Sequence, residues 1–544
     1  SIGAVPKRAP KQNLTRITLG AQSTSQYYAA ADLSHRSDDS RFGIRVNGVE
    51  RRGDTDIDGE ARALQLLTLG TDFHSNDLRI SADFGYQDQQ LDASPPSVTV
   101  ASGLPIPTAP DTDHNIGQPW TYSDAKDLFG TLRAEYDITP RLTGWLALGA
   151  REGDEDSIFS AFLTTTNLMG DFSASRFDVV HKDSVITGEL GLRTEFSTGE
   201  ITHQLSLSAN TYENDSRNAY FIYNGFTNNL YHPTAVERPE TPVVGGGDLR
   251  HPLITTTTKT GSLALADELS LLNNRLRLTL GARQQTIREY NFDYSTGAPQ
   301  SSYDKTRLTP AFAALYKFSP HYSGYINYTE GLLKGDIAPT TNIDGPVANR
   351  GQALKPYQTQ QTEVGIKYLG KSLGATIAVF EIRKPLAGYN SRNALALVDD
   401  QTHRGLELSL YGEAAPGIKL LGGISFLDTD EYGKNTIGAP KTQSNLGLEW
   451  DVPGITGLSL SSQWMYTGSQ YADLANTQKV PSWQRLDLGA RYTTRLSAQT
   501  LTLRATLENA TSNDYWASVG GFPGAGYLTQ GNPRTLVVSA TVDF

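Results

Sequence analysis

The 544-residue sequence contains no cysteine and only two methionines. That excludes disulfides, thiolate metal sites and cysteine nucleophiles together, and it suits a chain that crosses an oxidising compartment unfolded. Nor is there any apolar run near the roughly 20 residues a membrane helix needs. With 38% hydrophobic residues and a mean hydropathy of −0.39, a helical membrane protein is excluded. A transmembrane β-barrel is not, because only every second residue of such a strand meets lipid. Positive charge is also scarce. The net charge is −11 and the charges are scattered without basic runs, which argues against nucleic acid as a partner. The opening Ser1-Ile-Gly-Ala-Val-Pro-Lys-Arg8 lacks the apolar stretch of a secretory signal. Gly-x-Ser-x-Gly, His-Glu-x-x-His and phosphate-loop motifs are missing, so no enzyme is expected.

What the chain does have is alternation. Its end, Thr535-Leu-Val-Val-Ser-Ala-Thr-Val-Asp-Phe544, puts Leu536, Val538, Ala540, Val542 and Phe544 on one face and Thr535, Ser539, Thr541 and Asp543 on the other. Leu276-Arg-Leu-Thr-Leu-Gly-Ala-Arg283 repeats the pattern with two arginines on the second face, as do Gly188 to Phe196, Arg485 to Tyr492 and Leu501 to Glu508. Burying those ionisable faces in a dry core would cost too much, so one side of each strand is wet. About 22 such segments can be counted, an even number within the range of membrane barrels.

Alternation alone suits a soluble sandwich equally well. The connections separate the two. After even-numbered strands the chain turns back quickly, at Ser37 to Arg41, His74 to Asp77, Thr139-Pro140, Asn273-Asn274 and Ser319 to His321, where Asn, Asp, Gly and Pro favour tight turns. After most odd strands it runs long, as in Asp88 to Ser123, Glu152 to Val180, Asn214 to Ile254, Leu332 to Pro356 and Thr511 to Asn532. Sorting by strand parity places short turns on one rim and long loops on the other. That is the arrangement of outer-membrane barrels, with periplasmic turns and extracellular loops. The expected fold is therefore an all-β, transmembrane antiparallel barrel of about 22 strands, in the bacterial outer membrane, with its last strand pairing the first near Leu14 to Ala21.

Four segments carry a family resemblance. Leu278 to Arg283, Lys355 to Tyr368 (KPYQTQQTEVGIKY), Arg404-Gly-Leu-Glu-Leu-Ser-Leu410 and Gly531-Asn-Pro-Arg-Thr535 resemble, in order, motifs of TonB-dependent siderophore receptors. The resemblance implies a receptor for ferric siderophores that draws energy from the TonB–ExbB–ExbD system. It also implies insertion by the outer-membrane barrel assembly machinery through the terminal Phe544, a lipid and lipopolysaccharide surround, and a monomer. Iron would travel as the siderophore complex, with no metal held by the protein's own side chains. Residues 11–544 read as barrel and 1–10 as the shortened end of a plug-to-barrel junction. The plug that such receptors carry does not fit before Leu14, so it is expected to have been deleted, processed away or left out, and the chain by itself would be a wide passive pore. General porins, and receptors for haem or another large nutrient, are the alternatives. His114, His232 and His251 are available for haem, but the loop motif of haem receptors is missing.

The resemblance directs attention to aromatic residues in the long loops, since flat rings pack against compact iron chelates. The candidates are Trp120, Tyr122, Tyr220, Phe221, Tyr223, Phe226, Tyr231, Tyr389 and Tyr527. Aromatic girdles at the membrane surfaces compete for the same residue type, and Trp450 and Trp516 near strand ends fit the girdle better. Lumen arginines such as Arg277, Arg283, Arg485, Arg491 and Arg504 are expected to pair across strands with Glu189, Asp487 or Glu508 and to brace the wall.

Overall fold

The computed structural model describes residues 6–22, 25–520 and 526–544, and in it 22 antiparallel strands close a barrel. They are β1 (Leu14–Gln22), β2 (Tyr27–Arg36), β3 (Phe42–Asp54), β4 (Ala61–His74), β5 (Leu78–Asp92), β6 (Tyr122–Thr139), β7 (Leu142–Thr165) and β8 (Asp171–Thr198). Next come β9 (Ile201–Asn229), β10 (Ile254–Leu271), β11 (Leu276–Phe292), β12 (Pro299–Lys317), β13 (Tyr322–Leu333), β14 (Tyr357–Leu369) and β15 (Leu373–Tyr389). The last are β16 (Leu395–Ala415), β17 (Ile418–Asp430), β18 (Thr442–Asp451), β19 (Leu458–Thr467), β20 (Trp483–Leu496), β21 (Gln499–Glu508) and β22 (Thr535–Asp543). Each strand pairs with the next, and β22 returns to β1 in the register Arg16↔Asp543 to Gln22↔Val537. Closure removes the sheet edge that lipid could not satisfy.

The apolar faces point outward. Leu19, Leu148, Leu265 and Leu421 are all exposed on the isolated chain, Leu421 at 71%, and so are Leu536 and Val538 of the last strand. Such a belt is tolerable only against lipid. Trp450, at the turn end of β18, is exposed on the same face and belongs to the girdle, as expected.

The opposite face is wet and charge-paired. Arg485 binds Asp487 at 2.7 Å and Glu508 at 3.0 Å, and Arg277 lies 3.7 Å from Glu268. Glu189 differs from expectation, accepting the indole N–H of Trp145 at 2.7 Å rather than pairing with an arginine. Trp145 can lie flat there because its neighbour is Gly191, where a Cβ would sit 2.2 Å from the indole. Tyr325 over Gly365 and Phe380 over Gly405 repeat the device, in which a ring covers a cross-strand glycine.

The closing seam is fastened on this inner face. Arg16 meets Asp543 with two hydrogen bonds, 2.5 and 2.8 Å, and Thr18 bonds Thr541 at 2.9 Å. Before β1, residues 6–12 lie along the inner wall of β2 to β5. Arg8 binds Asp83 through both guanidinium nitrogens at 2.7 Å, while Arg45 and Arg36 donate to the carbonyls of Arg8 and Ala9. Of the segment read as a junction, residues 1–5 lie outside the described residues.

Connections 37–41, 75–77, 140–141, 199–200, 272–275, 318–321, 370–372, 416–417, 452–457 and 497–498 all fall on one rim. In the 272–275 connection, Asn273 and Asn274 take φ of 56° and 64°, a left-handed conformation that asparagine tolerates. The opposite rim carries loops 93–121, 230–253, 334–356, 468–482 and 509–534.

Two predicted loops are partly strand. Glu152 to Val180 is largely taken up by β7 and β8, and Asn214 to Asn229 of the second belongs to β9, with β8 and β9 being 28 and 29 residues long. A membrane strand needs only about 9–11 residues, so roughly half of β8 and β9 stands outside the bilayer. The ladder between them runs from Thr198↔Ile201 to Asp171↔Asn229. Beyond the membrane no lipid face is required, so the apolar alternation lapses while the hydrogen bonding continues.

Candidate functional site

The main buried apolar core lies in these extracellular parts. Val98, Val100, Ile116, Leu163, Phe172, Leu230, Val480, Trp516 and Leu528 form one cluster, most of them fully buried. It joins loop 93–121 to the β7–β9 extension and to loops 468–482 and 509–534. Val98–Val100 pairs in parallel with Thr164 and Thr165 and antiparallel with Tyr527 and Leu528.

Proline content explains how loop 93–121 is held. Pro95, Pro96, Pro105, Pro107, Pro110 and Pro119 lack N–H groups and disrupt any ladder, which leaves carbonyls to be satisfied by side chains. Gln478 Nε2 donates to the carbonyls of Val100, Ala101 and Leu104 at 3.3, 2.9 and 3.1 Å. Trp516 Nε1 donates to Pro107 at 2.9 Å, and Gln530 Nε2 to Asp111 at 2.8 Å. The carboxylate of Asp514 accepts the N–H and hydroxyl of Thr112. Asp473 in turn fixes Gln478. Against the cost of its own burial, the N–H groups of Gln478 and Thr477 and the Thr477 hydroxyl hold its carboxyl below the usual range.

Beside this core, a cavity of about 420 Å³ opens between Pro107, Thr108, Trp483, Asn513, Tyr515 and Trp516. Trp483 and Tyr515 stack with ring centroids 4.5 Å apart, and Trp483 is oriented by its N–H to the Ala517 carbonyl at 3.0 Å. A second aromatic surface crosses the extension. Phe162, Phe177, Tyr220 and Tyr294 follow one another at centroid distances of 5.6, 6.2 and 5.4 Å, and Phe162 is 57% exposed.

The sequence-predicted residues divide among these features. Trp120 packs edge-on against Phe226 at 6.0 Å and donates to the Val236 carbonyl. Tyr231 packs on the apolar cluster and donates to the Thr108 carbonyl at 3.1 Å, and burial raises its phenol pKa. Tyr220 belongs to the aromatic surface. Phe221 lies 6.5 Å from Tyr223, whose ring carries Arg176 at 3.9 Å. Tyr220, Phe221, Tyr223 and Phe226 lie on β9 and not in a loop, for the reason given above. Tyr122 starts β6 and bonds Asp156, and Tyr527 pairs with Thr99 and Gly520. Tyr389 ends β15, apart from the rest and exposed. Trp516 was expected in the girdle, but at 3% exposure it is a centre of the loop core. Trp483 was missed. Its one sequence signal is its place directly after Pro481-Ser482, where a loop enters a strand.

Exposed carboxylates stand at Asp58, Asp111 and Asp113, while Glu60 is buried and paired with Arg62 at 3.2 Å and loops 468–482 and 509–534 balance Asp473 and Asp514 with Lys479 and Arg534.

Comparison with known proteins adds four findings. Residues 19–510 match the family model for "TonB dependent receptor-like, beta-barrel". The ferrichrome receptor FcuA of Yersinia enterocolitica is 34% identical over 555 residues, spanning 100% of this chain and 72% of that protein. The ferrioxamine B receptor of Salmonella typhimurium is 24% identical over 384 residues, 67% of this chain and 51% of that one. Among solved structures, BauA, the ferric preacinetobactin receptor of Acinetobacter baumannii, superposes with a TM-score of 0.90 at 28% identity, covering 99% of this chain and 81% of BauA.

Proposed function

Because the chain belongs to the TonB-dependent receptors of the outer membrane, we propose that it forms the barrel of a ferric-siderophore receptor whose ligand is a neutral or cationic ferric hydroxamate. The observation that carries the ligand class is the aromatic cavity at Trp483, Tyr515 and Trp516 set beside exposed carboxylates. Aromatic faces suit a compact chelate, and the exposed carboxylates of Asp58, Asp111 and Asp113 repel the trianion of a ferric tris-catecholate but not an uncharged complex. The names of the ferrichrome and ferrioxamine B receptors agree with this class. The aromatic surface from Phe162 to Tyr294 would meet the ligand first, and the cavity would hold it.

Iron is the cargo in this reading, and release into the periplasm depends on TonB. Terminal Phe544 would be the recognition point for barrel assembly, the leucine belt would face outer-membrane lipid and lipopolysaccharide, and one chain would suffice. The 544 residues alone would conduct as a wide, weakly selective pore. The test is growth on ferrichrome as sole iron source in a strain that relies on the full-length receptor. Growth is expected, lost without TonB and reduced by Trp483→Ala. Growth on ferric tris-catecholate in place of ferrichrome would reject the hydroxamate assignment.

A further inference from the structure

The loop that closes over the apolar core also carries Asp111-Thr-Asp-His114. The carboxylates of Asp111 and Asp113 and the imidazole of His114 offer ligand atoms within 4.8 Å of one another, with His114 Nε2 at 4.0 Å from Asp111 Oδ2. The geometry points to a divalent transition-metal site of the zinc type on the outer surface of the receptor, independent of the iron it is proposed to carry.

Three things support this. The donor set is two oxygens and one imidazole nitrogen, which suits Zn²⁺ and its neighbours better than Ca²⁺, an ion that wants six to eight oxygens. Ligand atoms around a tetrahedral Zn²⁺ stand roughly 3.4 Å apart, given bonds of about 2.0–2.2 Å. The side chains therefore need to close by only about 1 Å, and Asp111 and His114 are exposed enough to do so, at 67% and 42%.

The backbone beneath the ligands is fixed from elsewhere in the chain. Asp58 N–H donates to the Asp113 carbonyl at 2.9 Å, Asp514 holds Thr112, and Gln530 Nε2 reaches the carbonyls of both Asp111 and His114. The ligands are thus positioned before any ion arrives, which lowers the ordering cost of binding. The same Gln530 carboxamide leaves Oε1 buried and, among the described residues, without a hydrogen-bond partner, so its role here is that of a support through Nε2. His232 and Asp58 line a cavity of about 450 Å³ together with His114. A bound ion would tie loop 93–121 more firmly to its neighbours, in a protein whose sequence promised no metal ligands.

The test is isothermal titration of the detergent-solubilised full chain with ZnCl₂, with CaCl₂ alongside. One Zn²⁺ per chain is expected, bound more tightly than Ca²⁺. His114→Ala and Asp113→Asn should each weaken binding by about tenfold or more. Gln530→Ala, which removes a support and no first ligand, should weaken it by a smaller factor, and His251→Ala should leave it unchanged. All four positions are extracellular, and a heat-modifiable barrel band confirms that each variant is folded. Zinc binding that is equal in His114→Ala, Asp113→Asn and the parent means an adventitious ion only and overturns the site, as does the absence of saturable binding.

Discussion

Replacing Trp516 by alanine should unfasten the extracellular core and leave the barrel intact. The indole is 3% exposed in the cluster with Val98, Val100 and Leu528. A tryptophan buries about 200 Å², and at about 25 cal/mol per Å² its burial is worth at most about 5 kcal/mol. Truncation of a buried Trp costs about 3–5 kcal/mol. Loss of the N–H to the Pro107 carbonyl lies within that range and accounts for about 1 kcal/mol of it. Taking about 3 kcal/mol as the local loss, loop opening should rise by a factor of about 100. Hydrogen exchange of peptides spanning residues 98–109 reads this directly. Their protection should fall roughly a hundredfold, while peptides from β11 to β13 stay unchanged. Trp516→Phe should show a much smaller loss, since it keeps the apolar bulk and gives up the hydrogen bond. Unaltered exchange at 98–109, or deprotection spreading into β11 to β13, would refute a separately folded extracellular core.

Three further outcomes follow from named contacts. The carboxyl of Asp473 is held below its ordinary value, so the support it gives Gln478 is present above about pH 3.9 and is lost as pH falls through the lower folded value. Pepsin cleavage in loop 93–121, taken relative to an unstructured peptide at each pH because pepsin's own aspartates titrate there, should therefore accelerate at the acid end in the parent, and be fast and nearly pH-independent in Asp473→Asn. Gly191→Val forces Trp145 off the wall and away from Glu189, an overpacking worth about 1–3 kcal/mol. The temperature at which the folded barrel band disappears on gels should drop, with loop exchange unaffected. Asp543→Asn weakens the clamp to Arg16 at the seam, but both side chains are partly exposed, at 32% and 45%. The cost should stay below about 1 kcal/mol, seen as a small shift in the urea midpoint.

The membrane-spanning half was legible because lipid imposes a strict period of two. Leu276 to Arg283, the terminal strand and the Asn273-Asn274 turn could be read residue by residue, and the β1–β22 pairing followed from closure. Outside the bilayer that constraint disappears. The outer parts of β8 and β9 look like loop because polar side chains occupy both faces. The site suffered most, since its contacts join residues far apart in the chain. Nothing local in Gln478 foretells that it caps carbonyls of loop 93–121, and nothing around Trp516 tells a girdle residue from a core one. Aromatic content drew attention to Tyr220, Phe226 and Tyr231, and the structure explains much of it by packing, with Phe226 against Trp120 and Tyr231 on the cluster. Trp483 has few aromatic neighbours in sequence and gained its partner Tyr515 only through the fold.

Equilibrium binding to the purified full-length receptor tests the central assignment most directly, with ferrichrome, ferrioxamine B and a ferric tris-catecholate followed by tryptophan fluorescence quenching. Saturable one-to-one binding of a hydroxamate complex, weakened at least tenfold by Trp483→Ala and absent for the tris-catecholate, is the predicted result. No saturable binding of any ferric chelate would contradict the account.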